Sequence, residues 1–152
     1  MDTKDLEKYI LLLKLVSFFK PFTNEELAEL LKYAEVKKYA IHEYIMKEEA
    51  VDCTFFVLLK GKVNVIKDDP VKRRKVKIAE LEAGACIGEM AMLLDGRRNA
   101  SIVAATESYL FRVHAKEVEY MPIESQLKFI KRVATYLALK LNDQSASLIE
   151  AL

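Results

Sequence analysis

Two side chains in this 152-residue chain, Glu89 and Arg98, have the types and spacing to carry a binding chemistry. They fall within Gly84-Ala85-Cys86-Ile87-Gly88-Glu89-Met90-Ala91-Met92-Leu93-Leu94-Asp95-Gly96-Arg97-Arg98-Asn99-Ala100-Ser101, which holds three of the four glycines. The segment Glu89 to Leu94 reads as one short helix. Gly88 has no Cβ to hold a ligand away, and the first amides of a helix lack an intrahelical acceptor, so they point at an arriving anion. Beyond a turn at Gly96, Arg98 can fold back to give that anion a planar partner of fixed charge. Glu89 can only accept hydrogen bonds. Beside a phosphate cradle it would repel the phosphate, unless its task is to take the hydroxyl protons of an attached sugar. Phosphate donors with one sugar-reading carboxylate describe a nucleotide pocket.

The elements that must position these residues follow from periodicity. Leu6, Tyr9, Ile10, Leu13 and Phe18 predict a helix from about residue 3 to Ser17, closed by Pro21. Thr23 or Asn24, ahead of Glu25 and Glu26, caps a second helix with a stripe at Leu27, Leu30, Leu31 and Ala34, ending near Tyr33 to Glu35. From Val36 the period changes to that of strands: Val36 to Ile41, Tyr44 to Lys47, the apolar run Phe55 to Leu59, and a hairpin whose arms hold Val63, Val65, Val76 and Ile78. Ile102 to Ala105 and Tyr109 to Val113 are the last two. A short helix runs from His114 to Tyr120 and stops at Pro122. Ser125 to Asn142 is the strongest helix, with one stripe at Leu127, Ile130, Val133 or Ala134, Leu137 and Leu141, and Phe129, Val133, Tyr136 and Lys140 beside it. The pattern predicts a mainly β fold with flanking helices, a sandwich or jelly-roll barrel.

Composition narrows the functional classes. With 52% hydrophobic and 31% charged residues and a net charge of +1, the chain reads as one soluble globular domain with no global field to draw nucleic acid. Cys53 and Cys86 have no metal-ligand spacing and read as reduced, buried thiols of a cytoplasmic protein. Ile10 to Phe19 is too short and too interrupted to span a bilayer. The hairpin bend carries the basic cluster Lys67, Lys72, Arg73, Arg74, Lys75 and Lys77, read as a solvated tip that guards an edge or as a docking patch for an acidic partner or nucleic acid. His42 and His114 lie far apart, with no nucleophile elbow, metal box or paired carboxylate, so no enzyme and no metal site is expected.

The order Gly-Glu-x-Ala-x-Leu, then Arg-x-Ala-Ser, then an apolar strand resembles the phosphate-binding cassette of cyclic-nucleotide-binding domains. These are the sensor modules of the catabolite activator protein, cyclic-nucleotide-dependent kinases and cyclic-nucleotide-gated channels. The resemblance implies an antiparallel double-stranded jelly-roll barrel over 36–114, with the cassette at 84–101, an N-terminal helical segment over 1–35 and C-terminal helices, including one long helix, over 115–152. It makes Glu89 the acceptor of the ribose 2′-hydroxyl and Arg98 the partner of the phosphate oxygens. Ile87, Gly88, Met90, Ala91, Asn99 and Ala100 complete the implied binding set. The implied ligand is a cyclic purine nucleotide, cAMP foremost, with cGMP left open because Asn99 could reach a guanine amino group. A homodimer through the C-terminal helix and a downstream protein partner are further implications, and the tail beyond Gln144 is too short for a winged-helix DNA-binding domain. The chain departs from the family pattern at His42-Glu43 and Glu48-Glu49, where turn glycines are usual. That departure motivates a second reading, a dimeric or docking scaffold of the same fold that takes no ligand.

Overall fold

The computed structural model describes residues 2–94 and 97–151, so the turn expected at Gly96 lies outside the described residues. The chain opens with α1 (Thr3–Lys14), a 3-10 turn (Ser17–Phe19) and α2 (Asn24–Leu30). Helix α1 stops short of Ser17 because Val16 is extended, which turns Phe18 and Phe19 inward. Thr23 caps α2 through a reciprocal box, its side chain accepting from the Glu26 N–H while the Glu26 carboxylate accepts from the Thr23 N–H. Eight strands follow among the described residues: β1 (Glu35–Tyr39), β2 (Tyr44–Met46), β3 (Thr54–Lys60), β4 (Lys62–Asp69), β5 (Arg74–Glu82), β6 (Cys86–Ile87), β7 (Ser101–Ala104) and β8 (Ser108–His114). Helix α3 (Glu89–Leu93) interrupts them, and α4 (Ala115–Tyr120) and α5 (Ile123–Ala151) close the chain.

The strands form two four-stranded antiparallel sheets, in the orders β1-β8-β3-β6 and β2-β7-β4-β5. The run Thr54–Leu59 is buried at every position, and apolar from Phe55 onward, because β3 is central and covered on both faces. Phe56 and Leu58 point between the sheets, where Tyr39, Leu110 and Ile87 of the first sheet meet Val63, Ile102 and Ala104 of the second. Phe55, Val57 and Leu59 point the other way, toward the helices. There Phe18, Phe19, Phe55, Phe111 and Phe129 stack edge-on or tilted with centroids 4.8 to 6.2 Å apart. Edge-to-face pairs of this kind add to the area they bury.

Helix α5 starts two residues before the expected Ser125 and continues past Asn142. Its buried face also differs from the expected stripe. Leu127 and Leu141 are exposed, whereas Phe129 and Val133 are fully buried, because Phe129 completes the phenylalanine cluster. Two further bonds lock this face: Arg132 Nε donates to the Phe18 carbonyl at 2.9 Å, and Lys128 Nζ lies 2.9 Å from Glu26. Of the two thiols expected to be buried, Cys86 is and Cys53 is only half-buried; both are free. His114 caps α4, its Nδ1 accepting from the Lys116 N–H at 3.1 Å.

The two turns that lack glycine keep a glycine-like backbone. His42 has φ 72° and Glu49 has φ 67°, both in the left-handed region that disfavours side chains with a Cβ. The His42 N–H donates to the Ala104 carbonyl and the Glu49 N–H to the Arg98 carbonyl, which ties these turns to the strand leading from Arg98. His42→Gly and Glu49→Gly should each stabilise the protein by about 0.5–1 kcal/mol, the left-handed penalty less the entropy glycine loses on folding. Thermal melts of the two variants, rising by a few degrees each, check this.

Candidate functional site

Strand β6 is only two residues long because Gly88, at φ 84°, reverses the chain directly into α3. A Cβ at Gly88 would overlap the Arg98 guanidinium and lie 2.7 Å from the Thr54 carbonyl oxygen. The absence of a side chain therefore lets β6 close onto Arg98. Arg98 is fixed from the other side through its backbone: its N–H donates to the Ala50 carbonyl at 3.0 Å and its carbonyl accepts from the Glu49 N–H at 3.0 Å. A bridge between Val51 and Arg97 extends the clamp.

The Arg98 side chain is 1% exposed, among the most buried large side chains of the protein. Its Nη2 donates to the Thr54 carbonyl. Nε and Nη1 have no acceptor among the described residues. Burial pulls the guanidinium pKa below its usual value, opposed by the nearby carboxylates of Asp52 and Glu89. Arginine starts so high that it stays charged regardless. Unspent N–H groups on two nitrogens of a buried cation are costly in an isolated fold, and an anion in front of them removes the cost.

A hollow of about 240 Å³ opens there, lined by Met46, Val65 and Ile102 from the barrel, by Gly88, Glu89 and Met90 at the start of α3, by Arg97, Arg98, Asn99 and Ala100, and by Lys140 of α5. Glu89 and Arg98 thus share one cavity. The Glu89 side chain is also buried, and its Oε1 lies 3.4 Å from Lys140 Nζ. With Arg97, Arg98 and Lys140 against Glu89, the lining carries two positive charges in excess, which suits an anion. Beneath it, burial and the Glu89 carboxylate push the Cys86 thiol up to about 12, so it stays a neutral packing group.

Of the residues singled out in the sequence, Gly88, Glu89, Met90, Arg98, Asn99 and Ala100 line this hollow. Ile87 does not: it pairs with Phe56 and its side chain belongs to the core between the sheets. Ala91 lies in α3, and its side chain is outside the described residues. Met46, Val65, Ile102 and Lys140 were not foreseen as site residues. Lys140 left a trace, being the one cation in the row Phe129, Val133, Tyr136 at spacings of four, three and four, which is one face of a helix. Gly88→Ala should destabilise the fold by about 2–4 kcal/mol, from left-handed strain plus overlap with Arg98. Gly84→Ala is its control: Gly84 has φ 99° but nothing within 4 Å of the added Cβ, so denaturant melts should show only the smaller backbone penalty.

Comparison with known proteins agrees with this geometry. Residues 36–122 match the model of the family described as the cyclic nucleotide-binding domain. Human cGMP-dependent protein kinase 2 is 34% identical over 98 residues, covering 64% of this chain and 13% of the kinase. The cAMP-dependent protein kinase regulatory subunit of Blastocladiella emersonii is 27% identical over 96 residues, covering 61% of this chain and 23% of that protein. The chain therefore spans a minor part of these curated relatives. Among solved structures, a cyclic nucleotide-binding domain from Methylobacillus flagellatus superposes with TM-score 0.77 at 25% identity, covering 98% of this chain and 85% of that one. The Thermus thermophilus catabolite activator protein shares the fold, with TM-score 0.71 at 22% identity over 88% of this chain and 62% of that one. With more than half its length matched by the family model and Glu89 and Arg98 of the cassette facing one cavity, the chain belongs to the cyclic nucleotide-binding domain family.

Proposed function

We propose that this chain is a regulatory sensor that takes a cyclic purine nucleotide, cAMP foremost, into the hollow and signals by reseating α5. The observation that carries the reading is Arg98, a buried guanidinium whose Nε and Nη1 are unpartnered among the described residues, beside a left-handed glycine. A cyclic phosphate diester is singly charged and presents two exocyclic oxygens, acceptors for the unspent N–H groups on Nε and Nη1. The ribose 2′-hydroxyl donates to Glu89. In doing so it competes with Lys140 for the same carboxylate, and that competition is the link from ligand to helix. Each state of α5 then differs in a specific contact, as a ligand-driven shift requires.

The scaffold reading without ligand rested on the missing turn glycines, and the left-handed backbone kept at His42 and Glu49 removes its motive. The choice of cGMP is a second reading favoured by one residue: Asn99, exposed at the wall of the hollow, offers an amide to a guanine edge. The output is a homodimer or a protein partner, and α5 presents Ile123 and Leu127 to solvent for either, 79% and 68% exposed.

Calorimetry with cAMP, cGMP and 5′-AMP should give micromolar or tighter binding for a cyclic nucleotide and much weaker binding for the open monoester. Arg98→Ala should lose about 2–5 kcal/mol of that binding, roughly 30-fold to several thousand-fold. The apo melting midpoint should barely move, since the deleted group has Nε and Nη1 unpaired there among the described residues. Silence with every nucleotide would sink the sensor reading. Amide hydrogen exchange across residues 133–143 should change on cyclic nucleotide addition, and an unchanged α5 would refute the coupling while sparing the binding.

A further inference from the structure

The strongest charge asymmetry of the molecule lies away from the hollow, at the β4-β5 tip. Residues 67–77 contain six basic and two acidic side chains, while the rest of the chain carries eighteen basic against twenty-one acidic, so a cationic tip is set on an anionic body. The tip is a built turn. Asp69 pairs with Arg74 across the hairpin, and its Oδ1 accepts from the N–H groups of Val71 and Lys72 at 3.0 and 3.2 Å. Arg73 takes the left-handed position at φ 52°.

Two of the cations are spent within the protein: Lys75 donates to the Tyr44 hydroxyl at 3.1 Å, and Lys77 pairs with Glu80 at 2.9 Å. The side chains of Lys67, Lys72, Arg73 and Arg74 are exposed and make no hydrogen bond or ion pair among the described residues. At the apex, between Pro70 and these cations, Val71 is 91% exposed. Guarding the open edge of β5 explains lysines along the strand. It does not explain a valine at the point of the turn.

We propose that this tip is a docking element for an anionic lipid surface, with Val71 entering the headgroup layer and Lys67, Lys72, Arg73 and Arg74 meeting lipid phosphates and carboxylates. A nucleic acid would meet the same charge, but residues 67–77 hold no aromatic ring to stack on a base and no Asn, Gln, Ser or Thr to read one. A convex apex with an apolar point ringed by cations fits a fluid interface. Each basic residue near such a surface contributes roughly a fivefold factor in partitioning, so four give weak and reversible attachment that adds to whatever else holds the chain there. Neither the hollow nor its ligand enters the proposal.

The test is co-sedimentation of the intact chain with phosphatidylcholine vesicles and with vesicles containing roughly one third phosphatidylserine. Expected is binding to the anionic vesicles alone, falling as salt rises. Lys72→Glu/Arg73→Glu/Arg74→Glu should lower it on the order of a hundredfold or more. Val71→Ser, which leaves the charge untouched, should lower it by several-fold. Both variants should keep the wild-type melting midpoint, since the altered side chains touch nothing in the core. Equal binding to neutral vesicles, or none to anionic ones, overturns the proposal. So does binding that Val71→Ser leaves intact, which would mark the tip as a general cation patch. Capture of duplex DNA in place of vesicles would reassign it to nucleic acid.

Discussion

A guanidinium sealed inside protein with two of its three nitrogens unpartnered among the described residues constrains nearly everything around it. Among the described residues the Arg98 side chain has one acceptor, the Thr54 carbonyl, at the start of the central strand β3. Keeping it there requires a residue without a side chain at Gly88, a backbone clamp from Glu49 and Ala50, and a β6 that ends after two residues. These features look separate along the sequence. In space they are the walls of one compartment.

The helical layer answers a different demand. Phe55, Val57 and Leu59 leave the outer face of β3 apolar, and the N-terminal helices together with α5 exist in this architecture to cover it. Coverage by aromatic rings also sets the rotation of α5. With Phe129 seated against Phe18 and Phe55, the residues one, two and three turns further along the same face are fixed, and the last of them is Lys140. Core packing thereby places a charge 3.4 Å from Glu89 that local sequence rules had no means to place.

Much of this was legible in the sequence, and unevenly so. Strand positions were readable because β3 and β8 bury residues on both faces and the turns carry Gly61 or polar groups. The pairing of Glu89 with Arg98 was readable because both belong to one short cassette. The buried stripe of α5 was misjudged: Leu127 and Leu141 fit a helical period as well as Phe129 and Val133 do, and periodicity cannot tell which of two apolar faces meets the body of the protein. Ile87 was counted with the site for its place in the cassette, although strand alternation sends its side chain into the core. The walls given by Met46, Val65 and Ile102 come from three strands brought together only by sheet order.

Helix α5 is one unbroken element of 29 residues that touches the barrel core at Phe129 and the hollow at Lys140. At 1.5 Å per residue these points stand about 16 Å apart, and Ala151 lies about 33 Å from Phe129. A stiff rod pivoting on the aromatic seat would roughly double at its far end any displacement imposed at Lys140. The fold thus has the proportions of a lever, with the phenylalanine cluster placed as its fulcrum and Lys140 resting on a single carboxylate.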